Sequence, residues 1–347
     1  MHMMNGEGCG EACVYAAPHR STMTKAWMRA RSTILALFSA AALAAQVVAQ
    51  EAAPPAADDS SAAIDEVIVR GRRMSEIDDD LRIVIKDFIG EVVSKPPGRG
   101  YARWHDRVCV GVHNLPTNAA QYLIDRISSL VLEVGLTVGE PGCAPDVVIV
   151  FATDANFVAT YMVGVEPMMF RPAGQSNNDM TLSRAQLDEF THSDRAVRWW
   201  HVSLPVYAHS RQPAIILPGA SGSPWSANSA GAPVDSVQGP SRIHDGIVDE
   251  LQRVIVVVDA SKLKGTTWQQ IADYLAVVSL AQIDPDTNPA AFDSILNLFT
   301  NPAAYSGLTD WDRSYVRALY EFDQERSPDL QTNALAGEMV RDPVVRP

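Results

Sequence analysis

Short runs of apolar and β-branched residues predict four β-strands in this chain. The predicted strands cover residues 107–112, 146–151, 197–206 and 253–259. The last of them reads RVIVVVD and is continuously apolar, as expected of a strand covered on both faces of a sheet. The third alternates, so Trp199 and Trp200 should point to opposite faces, one into the core and the other towards a second layer, a cleft or water.

Apolar residues at helical spacing predict helices between and after these strands. The predicted helices cover residues 81–93, 117–134, 182–190, 268–284 and 308–323. Thr117 or Asn118 is expected to cap the second helix, and Thr267 and Thr309 are expected to cap the last two. Together the elements predict an α+β fold, with a mixed sheet and helices packed on it.

The first 49 residues have the layout of a secretory signal peptide. Three basic residues precede an apolar run over residues 34–45, and small residues follow as far as Ala49, where cleavage is expected. The basic residues make Met23 the predicted start. A membrane anchor is the alternative, but the run is shorter than the roughly 20 residues that a spanning helix needs. We therefore expect a periplasmic or secreted protein that does not span the membrane after signal cleavage.

Composition divides the rest of the chain into four regions. Residues 50–63 are rich in Ala, Pro, Asp and Ser, which is typical of a disordered spacer. An α/β region follows over residues 64–240, with a long irregular excursion at 211–241 that is rich in Ser, Gly and Pro. A C-terminal region over residues 241–330 and a tail over 331–347 complete the chain.

The charge of the chain disfavours two classes of partner. The formal net charge is -13 at pH 7. The first 49 residues carry four basic and two acidic side chains, so the cleaved protein is more negative still. Such a charge argues against nucleic acid and against anionic membrane surfaces as partners, and it is compatible with a protein or peptide partner.

Cys109 and Cys143 are the cysteines that follow the signal peptide. An even pair in an exported protein predicts a disulfide bond, because oxidising compartments favour one. Two unpaired buried thiols are the alternative.

The stretch IDEVIVRGRR at residues 64–73 resembles the TonB-box segment of TonB-dependent outer-membrane receptors. In those receptors the segment pairs as a strand with an energy-transducing protein, which is a form of β-augmentation. The resemblance implies an accessory protein of TonB-linked outer-membrane transport. The chain has no room for the barrel of such a receptor, and an ordinary first strand is the alternative.

Four elements near the C-terminus stand in a recognisable order. Strand 253–259 is followed by a long helix, by a tight S-I-x-N turn at 294–297 and by a helix that begins L-T-x-x-D at Leu308. This order is similar to that of zinc peptidases of the metzincin clan and of secreted bacterial zincin-like families without an assigned activity. Leu296 stands where the turn of the clan carries Met. The resemblance implies a zincin-like C-terminal part.

The metal-binding positions of that clan are altered in this chain. In the clan, H-E-x-x-H on the long helix supplies two imidazoles to zinc, the Glu polarises the metal-bound water, and a third ligand follows six residues later. The corresponding positions are held by Ala272, Asp273, Ala276 and Gln282. An Ala methyl offers zinc no lone pair, and no His follows His244. The resemblance therefore implies a degenerate scaffold without zinc.

Two further expectations depend on the resemblance. In active members of the clan, a groove beside the strand that corresponds to 253–259 receives the substrate as an added strand, and a degenerate binding protein would keep this groove. If the chain does not belong with the zincins, Asp273 and Tyr274 are expected near the surface side of a core helix.

No other pattern in the sequence identifies an enzyme. The histidines show no metal-ligand spacing, and Ser221 and Ser223 lack the G-x-S-x-G setting of a nucleophile. His244 and Asp245 would become a candidate hydrolase site if a serine of the 211–241 excursion approached them. We therefore predict a non-catalytic, cofactor-free binding protein of the cell envelope, with a hydrolase assembled from dispersed His, Asp and Ser residues as the alternative.

Overall fold

The structure is a computed structural model that describes residues 78–96, 98–171, 183–214 and 246–346. The predicted signal peptide, the spacer and the TonB-box-like segment lie outside the described residues. The same holds for most of the 211–241 excursion, including Ser221 and Ser223, and for the pair His244 and Asp245.

The described residues form six strands and eight α-helices. The strands are β1 (Arg107–Val108), β2 (Val110–His113), β3 (Thr137–Val138), β4 (Val147–Ala152), β5 (Val197–Tyr207) and β6 (Ile247–Asp259). The helices are α1 (residues 78–92), α2 (Thr117–Glu133), α3 (Ala155–Val165), α4 (Pro167–Phe170), α5 (Arg184–His192), α6 (Trp268–Leu280), α7 (Asp310–Glu321) and α8 (Pro328–Arg341). None of the helices in these ranges is long and apolar enough to cross a membrane.

The strands and helices predicted from the sequence are present, but some of their ends differ. β6 begins at Ile247, six residues before the predicted start, and Cys109 divides the first predicted strand into β1 and β2. The predicted cap of α2 is wrong, because the helix begins at Thr117 itself and Pro116 occupies the cap position without a side-chain hydrogen bond. Four short or weakly patterned elements, β3, α3, α4 and α8, were not predicted.

Four strands form a mixed sheet in the order β2-β4-β6-β5. β2, β4 and β6 are parallel, and β5 runs antiparallel to β6 at one edge. β1 and β3 form a separate parallel pair. The predicted α+β class is confirmed. Because β5 lies before residue 240 and β6 after it, the α/β region and the C-terminal region share one sheet.

Strand β6 separates two hydrophobic cores. Val254, Val256 and Val258 face the larger core, to which α1, α2, α6, α7 and α8 contribute. Ile255 and Val257 face the smaller core, to which α3, α4 and α5 contribute. Both faces of the strand are therefore buried, as its continuously apolar sequence predicts.

Trp199 and Trp200 point to opposite faces of the sheet, as predicted, and both are buried. Trp199 lies in the larger core, where its Nε1 donates to the Ile283 carbonyl oxygen at 2.9 Å. Trp200 lies in the smaller core, where its Nε1 donates to the Phe170 carbonyl oxygen at 2.8 Å. The second tryptophan therefore packs against a second layer and does not line a cleft.

A β-bulge interrupts the pairing of β5 with β6. Val202 pairs with Arg253, whereas the next residue, Ser203, pairs with Leu251. Gln252 is therefore an extra, exposed residue in β6. Its presence explains why Leu251 and Val254, three positions apart in the strand, both face the larger core.

The segment 331–347, which the sequence sets apart as a tail, is mostly helical. Leu335 and Met339 of α8 are buried in the larger core. The Gln331 carboxamide is also buried, and its Oε1 accepts a hydrogen bond from the backbone N–H of Tyr101 at 2.8 Å. Helix α8 thus packs as an integral part of the core.

Cys109 and Cys143 form the predicted disulfide bond, with their Cα atoms 6.3 Å apart. The bond joins the residue between β1 and β2 to the loop before β4. Gly139 packs against it, since a β-carbon at this position would lie 2.4 Å from Cys143 Sγ and 3.0 Å from Cys109 Cβ. Any side chain at position 139 would therefore force the disulfide bond or the backbone to move.

We expect neither cysteine to react with thiol reagents in the protein recovered after export of the full chain. The bond spans 34 residues, and closing such a loop should stabilise the fold by about 3 to 4 kcal/mol through the entropy of the unfolded chain. The Cys109→Ala/Cys143→Ala variant should lose roughly this free energy of unfolding in urea titrations. Free-thiol labelling of both cysteines in denatured, unreduced protein would contradict the bond.

Candidate functional site

Helix α6, which carries the candidate site, lies inside the larger core. Every residue from Gln270 to Leu280 is buried. Thr267 caps the helix, as predicted, because its Oγ1 accepts from the backbone N–H of Gln270 at 3.2 Å. Gln270 Oε1 accepts from the Thr267 N–H at 2.6 Å in return. This capping box satisfies two N–H groups at the start of the helix.

The positions that the resemblance assigns to zinc ligands are buried and mostly apolar. Ala272 and Ala276 lie one turn apart on α6 and are 0% and 2% exposed. Gln282, at the third ligand position, follows the end of the helix, and its Nε2 lies 3.4 Å from Ser203 Oγ. Within the described part of the chain, no group of three or more His, Cys, Asp or Glu side chains is placed to hold a metal ion.

Asp273, which the resemblance places at the position of the catalytic Glu, accepts hydrogen bonds from two neighbours. Its Oδ1 accepts from Arg126 Nε at 2.5 Å, and its Oδ2 accepts from Arg126 Nη2 at 2.9 Å and from the Leu308 N–H at 2.8 Å. The hydrogen bond to Asp273 raises the pKa of the Arg126 guanidinium. The expectation that Asp273 and Tyr274 lie near the surface is wrong, because they are only 3% and 5% exposed.

One carboxylate joins the turn at Ile295–Asn297 to helix α7. Thr309 caps α7, as predicted, and accepts from the Asp312 N–H at 3.0 Å. Asp312 Oδ1 accepts from Ser294 Oγ at 2.6 Å, and its Oδ2 accepts from the Ile295 N–H at 2.7 Å. Burial raises the pKa of Asp312 against the opposing effect of these hydrogen bonds. The turn and the helix that contribute to the zincin resemblance are thus one hydrogen-bonded unit.

The buried C-terminal end of α6 is satisfied by side chains from other elements. A helix leaves its last four carbonyl oxygens without donors of its own. The contacts here are His201 Nε2 to the Val278 oxygen at 2.7 Å, Trp104 Nε1 to the Ser279 oxygen at 2.8 Å and Tyr320 Oη to the Leu280 oxygen at 2.9 Å. These partners are separated by 77, 175 and 40 residues, so no local signal in the sequence could identify them.

His201 lies on the same face of β5 as Trp199 and is fully buried. Burial lowers its pKa from 6.5 to about 4, against the opposing effect of the Val278 and Ala281 backbones. The ring is therefore neutral at pH 7, and because Nε2 faces a carbonyl oxygen, that nitrogen carries the proton. His201 serves as a hydrogen-bond donor to the backbone of α6.

Two other histidines contact acidic side chains without forming a catalytic arrangement. His192 Nδ1 lies 2.8 Å from Thr191 Oγ1 and 3.5 Å from Asp188 Oδ1. Both contacts use the same ring nitrogen, whereas a nucleophile relay uses one nitrogen for each partner. His105 Nδ1 lies 3.9 Å from Glu250 Oε1. These contacts do not assemble the site that the hydrolase alternative requires.

Strand β6 is paired on both sides. β4 pairs with it from Val254 to Asp259, and β5 pairs with it from Ile247 to Val258. Strand addition needs backbone groups without partners. The groove that the resemblance implies beside residues 253–259 is therefore occupied by the protein's own strands, and the expectation that this strand receives a peptide is wrong.

Comparison of the chain with models of known protein families, with curated proteins and with solved structures finds no significant match. The zincin resemblance therefore depends on the motifs and the order of elements described above.

We expect the protein to become less stable as the pH falls from 7 to 4, because His201 is neutral and buried in the folded protein. Its pKa is about 4 in the folded protein and close to 6.5 in the unfolded chain, so the unfolded chain binds more protons in this range. The resulting loss approaches about 3 kcal/mol at pH 4. The free energy of unfolding in urea should depend more steeply on pH in the unchanged protein than in His201→Gln. The Gln amide can donate to the Val278 oxygen but does not titrate. Equal slopes would contradict a buried, neutral His201.

The Arg126→Ala substitution should destabilise the protein more when residue 273 is Asp than when it is Asn. Arg126→Ala leaves a buried carboxylate without its cation, and because Arg126 is 39% exposed we expect a loss of about 2 to 3 kcal/mol. In the Asp273→Asn background no charge is stranded, so the loss should be smaller by about 1 kcal/mol or more. A double-mutant cycle in urea measures this coupling. Additive effects would show that the ion pair does not contribute to stability.

Proposed function

We propose that the protein is an exported, non-catalytic binding protein on a degenerate zincin-like scaffold. The observation that carries the proposal is the environment of α6. Buried Ala272 and Ala276 occupy the zinc-ligand positions, and Asp273, at the catalytic position, already accepts hydrogen bonds from Arg126 and Leu308. Zinc peptidase chemistry needs imidazole lone pairs and a carboxylate free to face the metal-bound water.

The order and bonding of the C-terminal elements support the scaffold part of the proposal. β6 leads into α6, and the turn at Ile295–Asn297 precedes α7 in the order that the resemblance requires, although β4 and β5 fill the groove that it also implies beside β6. Asp312 holds the turn and α7 together, and both pack with α6 in the larger core. The chain thus keeps a rigid platform while its metal-site positions carry no imidazole.

The disulfide and the predicted signal peptide support export. Disulfide bonds persist mainly in oxidising compartments, which fits a periplasmic or secreted protein. The net charge of -13 favours a protein or peptide partner over nucleic acid. Because β6 is paired on both sides, such a partner would bind at another surface of the fold.

The protein recovered after export should contain far less than one zinc per chain. We expect this result from plasma mass spectrometry of material purified without added metal or chelator, because the described residues offer no set of ligands. For the same reason, hydrolysis of an unfolded protein substrate should not exceed the buffer rate, with or without added zinc.

About one zinc per chain, together with hydrolysis that a chelator abolishes, would overturn the proposal. The Asp273→Asn variant would then show whether Asp273 acts as the base. A loss of hydrolysis with zinc retained would assign it that role.

A further inference from the structure

Helix α3 presents an apolar face to solvent. Phe157, Tyr161 and Val165 are 66%, 60% and 54% exposed, and Met168 of the following helix α4 is 60% exposed. On α3 the spacing of four residues places the first three on one side of the helix. The rings of Phe157 and Tyr161 stack with their centroids 6.2 Å apart. An exposed patch of this kind, unlike a single exposed apolar residue, is often functional.

A row of shorter, uncharged residues lies beside this apolar row. Asn156, Thr160 and Gly164 are exposed and also follow one another at intervals of four residues. At Gly164 a β-carbon would meet no atom within 4 Å, so the space above the helix is open there. We call Phe157, Tyr161 and Val165 the α3 ridge, and Asn156, Thr160 and Gly164 the α3 groove.

The α3 ridge and the α3 groove fit each other. Helices pack when a row of residues four apart on one helix enters the groove between such rows on the other. Two copies of α3 related by a twofold axis would place each ridge in the groove of the partner, as a self-complementary interface requires. The opposite face of the helix, with Ala155 and Ala159, already packs in the smaller core.

Charge favours a second copy of the chain as the occupant of this face. α3 contains no Asp, Glu, Lys or Arg, although the chain has a net charge of -13. Two such chains repel each other over most of their surfaces, so an uncharged face is where they can meet with least repulsion. An aromatic, charge-depleted centre is also typical of protein interfaces. The same net charge opposes binding to an anionic lipid surface.

We propose that the α3 ridge and the α3 groove form the interface of a homodimer. The apolar row exposes on the order of 400 Å² per copy, about half of the 800 Å² that each partner of a stable complex usually buries. The dimer is therefore weak, with a dissociation constant on the order of micromolar or higher. The proposal does not depend on the proposed function, because it uses α3 and the opposite side of the sheet from α6.

Sedimentation equilibrium of the protein recovered after export tests this interface. Between about 1 and 200 µM, the weight-average mass should rise from that of one chain towards that of two. The Phe157→Ser/Tyr161→Ser variant should stay monomeric over this range. The matched control is Tyr122→Ser/Leu132→Ser, which alters two side chains that α2 exposes to 42% and 60%. This control should associate like the unchanged protein.

The Gly164→Leu variant distinguishes a specific interface from general stickiness. It adds apolar surface at an exposed helical position that has room for it, so non-specific association would become stronger. In a specific interface, however, the leucine would fill the α3 groove, so the dissociation constant of the homodimer should rise by about tenfold or more. Circular dichroism melting curves would show that each variant is folded.

Three results would overturn the homodimer. The first is a monomer throughout the concentration range, and the second is unchanged association of Phe157→Ser/Tyr161→Ser. The third is a monomer that floats with phosphatidylcholine vesicles and loses this binding in the same variant, which would assign the α3 face to a lipid surface.

Discussion

The burial of helix α6 is the constraint on which the arrangement of the other elements depends. A helix enclosed by protein cannot leave its last carbonyl groups to water, and each unsatisfied polar group in a core costs about 1 to 3 kcal/mol. His201, Trp104 and Tyr320 supply the donors. They belong to the edge strand β5, to the segment before β1 and to α7. The end of α6 therefore fixes where three distant parts of the chain must lie.

The same packing leaves the buried part of α6 without a face suited to catalytic zinc. A catalytic zinc site needs side chains with lone pairs on a helix face that opens to water, whereas Ala272 and Ala276 face close-packed side chains. An imidazole at either position would have to enter a space sized for a methyl group, and overpacking of this kind destabilises a core. Asp273 is turned towards α2 by its pair with Arg126. The close packing around Ala272 and Ala276 is thus incompatible with a metal site on this side of α6.

The sequence was sufficient where the determinant of structure lies within a few residues. Thr267 and Thr309 were predicted as caps because each hydroxyl serves an N–H three positions later. The surroundings of the candidate site were not predictable in this way, since Asp273 meets Arg126 across 147 residues. Apolar periodicity also cannot distinguish a helix with a free side from one that is buried all round. Helix α8 was overlooked because its pattern is weak, although its packing in the core is extensive.

Gln252 shows how much one exposed residue can determine inside the fold. Side chains alternate along a strand, so an extra residue reverses the side to which all earlier residues of that strand point. With Gln252 present, Asp249 pairs with Arg99 and Glu250 pairs with Arg211. If Gln252 were instead paired within the regular ladder, Asp249 and Glu250 would each point to the opposite face of the sheet, away from its arginine. The bulge therefore sets the face of the sheet to which each residue before it points, and with it which of the two adjacent acids meets which arginine.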